Sequence, residues 1–118
     1  MLFARNVLFA AKKDAIDEAI GVYQSSVIPA ASEQKGFRGA VLLTDRANGR
    51  ATSITFWESE ADLLQSEKSG YYKKQIEKLR PFMVDEPVRS VYEVSAQTAL
   101  QMPAVAGTPG VGAGAGRR

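Results

Sequence analysis

The sequence predicts an α+β, ferredoxin-like βαββαβ protomer, a four-stranded antiparallel sheet with helices on one face. Two observations support this prediction. Residues 37–59 have the pattern of a β-hairpin, because two runs rich in β-branched and apolar residues flank Asn48-Gly49, a dipeptide that tolerates the positive φ of tight turns. On each side of the hairpin, the chain carries one strand pattern and one apolar stripe at helical spacing.

The hairpin is apolar on both of its faces. If residues 47–49 form a three-residue loop, Leu42 lies opposite Ile54 on one face and Val41 lies opposite Thr55 on the other. Right-handed crossovers place both helices on one face of the sheet, so the other face stays open. A large exposed apolar patch is rare on a stable monomer, and we therefore expect a homodimer through the open sheet face.

The first strand and helix are predicted from residue spacing. Residues 2–9 alternate as a strand with Arg5 on one face and Asn6 on the other. Pro29 lacks a backbone N–H and is expected to kink or restart the helix that follows. The apolar stripe of that helix consists of Ile16, Ala19, Ile20, Tyr23 and Val27.

The second half of the chain repeats this order. Ser59 is a good N-cap for a second helix, Gly70 predicts a break in it, and Pro81 predicts its end. Residues 88–94 alternate as the last strand.

Composition changes near the C-terminus. From residue 97 the chain is rich in Gly, Ala and Pro, without aromatic residues or periodicity. Such a segment buries too little surface to offset its ordering entropy. We predict one domain over residues 1–96 and a disordered tail over residues 97–118.

Composition also narrows the functional classes. The chain has no cysteine and no histidine, so disulfides, cysteine catalysis and the commonest metal ligand are excluded, and we expect no metal site. The formal net charge is +2 without a basic block, which argues against nucleic acid as a partner. No apolar run approaches the roughly 20 residues that span a bilayer. We expect no membrane association, no signal peptide and a cytoplasmic location.

Several segments, taken together, resemble the antibiotic biosynthesis monooxygenase-like family. They are GFRGAVLL, DRANGRA, TFWESEADL, LRPFM and EPVRSVYEV, and the resemblance extends over residues 2–94. The family consists of dimeric α/β-barrel proteins built from ferredoxin-like protomers. It includes cofactor-independent quinone-forming monooxygenases, haem-degrading enzymes and members without an assigned activity.

The resemblance implies site residues only in part. Trp57 matches a tryptophan that lines the substrate cavity of the quinone-forming enzymes, whereas Ser53 stands where they have an asparagine and Leu63 where they have a tyrosine. Asn6 matches an asparagine of the haem-degrading branch. That branch also needs a tryptophan and a histidine in the region of the second helix, where this chain has Ser66 and Ile76. The chain contains no histidine, so no haem and no other cofactor is expected.

The candidate site combines two strands. Alternation puts Ser53, Thr55 and Trp57 on one face of the third strand, and the resemblance puts Asn6 on that same face, around an apolar cavity under the helices. Core packing is the alternative interpretation for Trp57. Hydrogen bonding to nearby backbone is the alternative for Asn6.

Three further side chains are assigned positions. Tyr71 and Tyr72 follow the predicted helix break, and one of them is expected to donate a phenolic hydrogen bond into the cavity. The alternative places Tyr72 in the core and Tyr71 on the surface. Arg5 is expected inside the dimer interface, with Glu93 as its carboxylate partner.

Two functions follow from these features. The first is a cofactor-independent monooxygenase-like enzyme acting on a small aromatic substrate of quinol or anthrone type, whose anion reacts with oxygen. The second is a non-catalytic dimeric protein of the same fold that binds a small molecule or serves as an accessory. For the enzyme, the expected catalytic residues are Asn6, Trp57 and Tyr72, and the expected substrate-binding residues are Ser53, Thr55 and Leu63.

Overall fold

Four antiparallel strands form one sheet in the computed structural model, which describes residues 1–99. The strand order is β2-β3-β1-β4, so the two terminal strands of the sequence lie side by side and the hairpin occupies the other half. This order confirms the predicted ferredoxin-like fold. The strands are β1 (Phe3–Ala10), β2 (Phe37–Asp45), β3 (Arg50–Trp57) and β4 (Val88–Glu93).

Helical segments cover one face of this sheet. Between β1 and β2 the chain forms α1 (Ile16–Val22), a π-helical segment (Tyr23–Val27) and α2 (Ile28–Ser32). Between β3 and β4 it forms α3 (Glu60–Lys68), α4 (Tyr71–Leu79) and a 3-10 turn (Arg80–Phe82). None of the helices within residues 1–99 combines the length and hydropathy that crossing a bilayer requires. The predicted tail continues past residue 99, outside the described residues, and stays a prediction.

The helix interruption predicted at Pro29 is present as the π-helical segment. The N–H of Ile28 donates to the carbonyl of Tyr23, five residues back. Pro29 has no N–H, and its ring crowds the carbonyl four residues earlier. The backbone hydrogen bonds of the preceding turn therefore change from a four-residue to a five-residue spacing. The widened turn directs Tyr23 and Val27 into the core, where both are buried.

The hairpin forms, but its predicted register is wrong by one residue. Asp45 pairs with Arg50, so the loop has four residues, 46–49, rather than three. The Asp45 carboxylate accepts hydrogen bonds from the backbone N–H and the Nδ2 of Asn48, which fixes the longer loop. As a result Leu42 lies opposite Ser53 and not opposite Ile54.

The break predicted in the second helix is also present. Ser59 Oγ accepts a hydrogen bond from the Asp62 N–H at 3.1 Å and caps the start of α3. Gly70 adopts φ +92, a left-handed conformation that separates α3 from α4. Tyr71 and Tyr72 therefore form the first turn of α4, directly above the sheet.

The two faces of the sheet differ in cover. The helix-covered face presents Arg5, Ser53, Thr55 and Trp57, among other residues, to the helices. The open face carries Ala4, Asn6, Leu8, Val41, Leu43, Ile54, Phe56, Val88, Ser90 and Tyr92, which follow from the strand registers. Four of these residues are strongly exposed: Leu8 at 40%, Leu43 at 55%, Val88 at 59% and Tyr92 at 57%.

The expected faces of Arg5 and Asn6 are wrong, because each lies on the other's face. Arg5 pairs with Thr55, so both point under the helices, whereas Asn6 pairs with Ile54 and points to the open face. In a strand, an offset of one residue moves every side chain to the opposite face. The physical reason is bulk: the Arg5 face of β1 carries Phe3, Val7 and Phe9, and this larger set packs under the helices.

Candidate functional site

A small cavity lies between the helix-covered face and the helices. Its volume is about 30 Å³, which is room for about two water molecules. Ser53, Thr55 and Tyr72, three of the predicted site residues, line it together. Trp57 and Leu63 are not among the described residues that line it, and both are fully buried in the surrounding core.

Arg5 supplies the charge of this cavity. Its side chain lines the cavity from β1 and is only 3% exposed. Nη1 donates to Ser66 Oγ at 3.0 Å and to Glu67 Oε2 at 3.1 Å, both on α3. The expected interface position and the expected pairing with Glu93 are therefore wrong, because the carboxylate comes from the helix above the strand.

Two aromatic rings contact the guanidinium. The Arg5 Cζ atom lies 4.3 Å from the centre of the Tyr72 ring and 5.4 Å from the centre of the Trp57 ring. Such contacts stabilise a desolvated cation by about 1–2 kcal/mol each. They hold the guanidinium at the cavity wall instead of letting it extend to solvent.

Glu67 is shared between two arginines. Besides Arg5, it accepts hydrogen bonds from Arg89 on β4, with Nε at 2.7 Å from Oε2 and Nη2 at 2.9 Å from Oε1. Burial lowers the pKa of Arg5, and the hydrogen bond and charge of Glu67 oppose this effect. Because a guanidinium starts from a pKa far above neutrality, Arg5 stays charged. The cluster of Arg5, Glu67 and Arg89 thus has a net charge of about +1.

Three phenols surround the same cavity. Tyr23 Oη and Ser53 Oγ are 2.8 Å apart and hydrogen-bonded. Burial raises the pKa of Tyr23 and of Tyr72, and it raises the pKa of Tyr71 to about 12. All three phenols are therefore neutral at pH 7 and able to donate hydrogen bonds. The alternative that placed Tyr71 on the surface is wrong, because Tyr71 lines the cavity beside Tyr72.

Trp57 lies behind Arg5. Its Nε1 donates to Thr55 Oγ1 at 2.9 Å, and its ring packs edge-on against Phe37 and Tyr71 at centroid distances of 5.6 and 6.5 Å. The position is that of a core side chain that supports the guanidinium. Its indole N–H is already engaged, so Trp57 presents no free donor to the cavity.

Asn6 is outside the cavity. Its Oδ1 is buried on the open face and has no hydrogen-bond partner within residues 1–99. A buried amide oxygen without a partner costs about 1–3 kcal/mol, so the group needs a donor from elsewhere.

The cavity also contains residues that the sequence did not assign to it. Tyr23 appeared only as part of a helix stripe. Glu67, which does not line the cavity but binds Arg5, was not singled out at all. The one available signal was on β1, where Arg5 alternates with Val7 and Phe9, a charge on the bulkier face of a strand. Within the described residues, no group of three or more acidic side chains is placed to hold a metal ion.

Comparison with known proteins agrees with this fold. A family model described as antibiotic biosynthesis monooxygenase matches residues 2–78. A search of curated proteins gave no match.

Solved structures of similar fold come from several organisms. SnoaB, a cofactor-independent oxygenase from Streptomyces nogalater, is 16% identical with a TM-score of 0.64, over 85% of this chain and 97% of that chain. Rv0793 from Mycobacterium tuberculosis is 15% identical with a TM-score of 0.67, over 84% and 100%. A conserved protein from Methanosarcina mazei Go1 is 16% identical with a TM-score of 0.66, over 78% and 91%. At these identities the likeness concerns the fold.

Proposed function

The chain belongs to the antibiotic biosynthesis monooxygenase family, and we propose that it is a cofactor-independent monooxygenase-like enzyme that takes a small aromatic substrate into the cavity beneath its helices. The observation that supports this proposal most is the composition of the cavity wall. A few polar groups, the guanidinium of Arg5 and the hydroxyls of Ser53, Thr55 and three tyrosines, stand among apolar side chains. This combination is typical of small-molecule sites.

Substrate entry requires the cavity to enlarge. A volume of about 30 Å³ does not admit an aromatic ring. Tyr71 and Tyr72, which line one side, begin α4 directly after the left-handed Gly70, which has no side chain to cap the helix. The Tyr71 N–H instead donates a long hydrogen bond of 3.3 Å to Ser69 Oγ. We propose that the first turn of α4 moves outward on binding, with Gly70 as the hinge.

The proposed reaction is the conversion of an anthrone-type CH₂ group to a carbonyl. The CH₂ loses a proton to give a carbanion, which supplies the electrons and adds O₂ as a peroxide. The peroxide takes up a proton, the second C–H bond and the O–O bond break, and water leaves. One oxygen atom thus remains on the ring and the other becomes water. The first proton passes to solvent, because no carboxylate is among the described residues that line the cavity. The protein contributes orientation and hydrogen bonds to the developing anion.

A second function, a non-catalytic ligand-binding or accessory protein, is favoured by one specific observation. Ser53, which replaces the asparagine of the quinone-forming enzymes, is already hydrogen-bonded to Tyr23. This pair is a satisfied structural contact and leaves the Ser53 hydroxyl less available to polarise a substrate.

We also propose that two copies associate through the open face. The four strongly exposed apolar side chains on it support this assembly, and so does the buried Asn6 Oδ1 that lacks a donor within residues 1–99. The cytoplasmic location stays a prediction from the sequence.

Oxygen consumption with an anthrone tests the proposed activity. We expect one O₂ consumed per quinone formed, without hydrogen peroxide, and a rate about 10-fold or more lower for Tyr72→Phe, which loses the phenolic donor and keeps the ring. Tyr92→Phe removes the same hydroxyl from the open face and is expected to leave the rate unchanged. If aromatic ligands raise the Tm but no oxygen is consumed, the binding function is correct and the enzymatic one is wrong.

A further inference from the structure

We propose that the ligand of this cavity binds as a monoanion, an ionised phenol or enol whose oxygen accepts hydrogen bonds from the Nε and Nη2 edge of Arg5. This inference rests on the proposed function for the place of binding and adds the charge of the ligand. The hydrogen bonds that Arg5 makes within residues 1–99 all start from Nη1. Arg5 is only 3% exposed, and its side chain lines the cavity. The Nε and Nη2 edge of its guanidinium is therefore left to a ligand.

Charge balance favours an anion over a neutral ligand. Glu67 divides its single carboxylate between the buried Arg5 and Arg89, whose side chain is 38% exposed, so the guanidinium of Arg5 at the cavity is only partly neutralised. An incompletely paired buried cation is unfavourable, and a ligand with one negative charge would complete the pairing. A dianion would exceed the available charge.

The other titratable groups around Arg5 do not compete for this role. Arg5 faces Glu67 on α3, Arg89 on β4 and the phenols of Tyr23, Tyr71 and Tyr72. The phenols are neutral at pH 7, so they act as donors to an anion and not as counterions to Arg5.

The walls favour an aromatic anion in which the charge lies next to the ring. Trp57 contacts the guanidinium from the core and Tyr72 contacts it from the cavity wall, where Val7, Phe9 and Leu79 lie as well. A phenolate or enolate places its oxygen in the plane of its ring, so the oxygen reaches Arg5 while the ring packs on these apolar side chains.

The pKa of a bound chromogenic phenol tests the inference. We would titrate 4-nitrophenol with the full chain and follow the visible absorbance of the phenolate as a function of pH. A positive charge at 4–6 Å typically lowers the pKa of an acid by about 1–3, and we expect a decrease of that size on binding. We also expect 4-nitroanisole, which cannot ionise, to bind at least about 10-fold more weakly at pH 8.

Two variants are expected to change the binding of the phenolate anion in opposite directions. Arg5→Gln is expected to abolish the decrease in the ligand pKa, whereas Arg38→Gln, the same change at an exposed arginine paired with Glu58, is expected to preserve it. Glu67→Gln keeps an acceptor for Arg5 but removes the neutralising charge. It is expected to tighten nitrophenolate binding about 10-fold, a gain that misfolding does not produce.

The possible outcomes separate this inference from the proposed function. No saturable binding of 4-nitrophenol, a bound pKa that is unchanged or raised, or weaker binding to Glu67→Gln would each overturn the inference. A lowered ligand pKa without oxygen consumption on any anthrone would support the inference and contradict the enzymatic function. Oxygen consumption with an unchanged ligand pKa would support the enzymatic function and contradict the inference.

Discussion

The two faces of the sheet differ in how they accommodate a polar side chain from β1, as the neighbouring residues Arg5 and Asn6 show. Arg5 is a charge placed on the buried face, where Ser66 and Glu67 accept hydrogen bonds from its Nη1 and two aromatic rings contact its guanidinium. Asn6 is a neutral amide on the open face, and its Oδ1 has no partner within residues 1–99. The difference indicates that the protomer covers the helix-covered face with its own helices, whereas the open face has no cover within residues 1–99.

Truncation of Trp57 is expected to have the largest effect on stability. Trp57 is fully buried behind Arg5, so Trp57→Ala should lower the free energy of unfolding by about 3–5 kcal/mol, measured by urea denaturation with far-UV circular dichroism. Leu43→Ala on the open face is the control. Leu43 is half-exposed, and its truncation should cost about 1 kcal/mol or less in the protomer. Equal costs at the two sites would contradict the contrast between the faces.

A carboxylate at the centre of the open face is expected to disrupt the assembly. Leu8 lies on β1 between two neighbouring strands, so Leu8→Asp should raise the dimer dissociation constant about 100-fold or more, because a charge would be buried on association. Sedimentation equilibrium measures this constant.

The control for that variant is Val84→Asp, which adds the same charge at an exposed residue outside the strands. It should leave the dissociation constant unchanged. If the unmodified chain is already monomeric at micromolar concentration, the proposed assembly is wrong.

Loss of the Tyr23 hydroxyl is expected to have a smaller effect. Tyr23→Phe removes the hydrogen bond to Ser53 and should lower the free energy of unfolding by about 1 kcal/mol. Combining it with Ser53→Ala should cost little more than the single change, because both variants delete one interaction. Additive costs in the double variant would show that the two hydroxyls act independently.

Alkaline pH is expected to destabilise the protein through the buried tyrosines only above the ordinary pKa of tyrosine, near 10. The pKa values of Tyr23, Tyr71 and Tyr72 are raised, Tyr71 to about 12, so the folded state holds these protons after the unfolded chain, with a tyrosine pKa near 10, has released them. Stability should be constant with respect to these groups below about pH 10 and fall between about pH 10 and 12. Ultraviolet absorbance of tyrosinate during urea titrations checks this, and a fall beginning near pH 9 would contradict the buried positions.

The order of elements was predictable because local chemistry determines it. Ser59, Gly70 and Pro29 act through their own backbone or side chain, and each has the predicted effect on its helix. The hairpin register was not predictable from Asn48-Gly49 alone. The Asp45 carboxylate binds Asn48 and extends the loop by one residue, an interaction that the pattern of apolar residues does not reveal.

The site was predictable only as far as strand alternation is reliable. Ser53, Thr55 and Tyr72 were expected at the cavity and line it. The faces of Arg5 and Asn6 were predicted the wrong way round, because a family resemblance aligns residues without fixing which face of a strand they occupy. The bulk of the neighbouring side chains determines which face of β1 packs under the helices. Glu67 was missed because its partner Arg5 lies 62 residues away in the sequence, and no local pattern connects them.

The indole of Trp57, the only tryptophan, tests most directly whether the helix-covered face is the ligand site. Its single indole N–H signal in a ¹H–¹⁵N NMR spectrum reports on the Arg5 side of the cavity. Titration with an anthrone should shift this signal saturably, while the signals of Leu8, Leu43 and Tyr92 on the open face stay in place. A stationary indole signal combined with shifts on the open face would contradict the account.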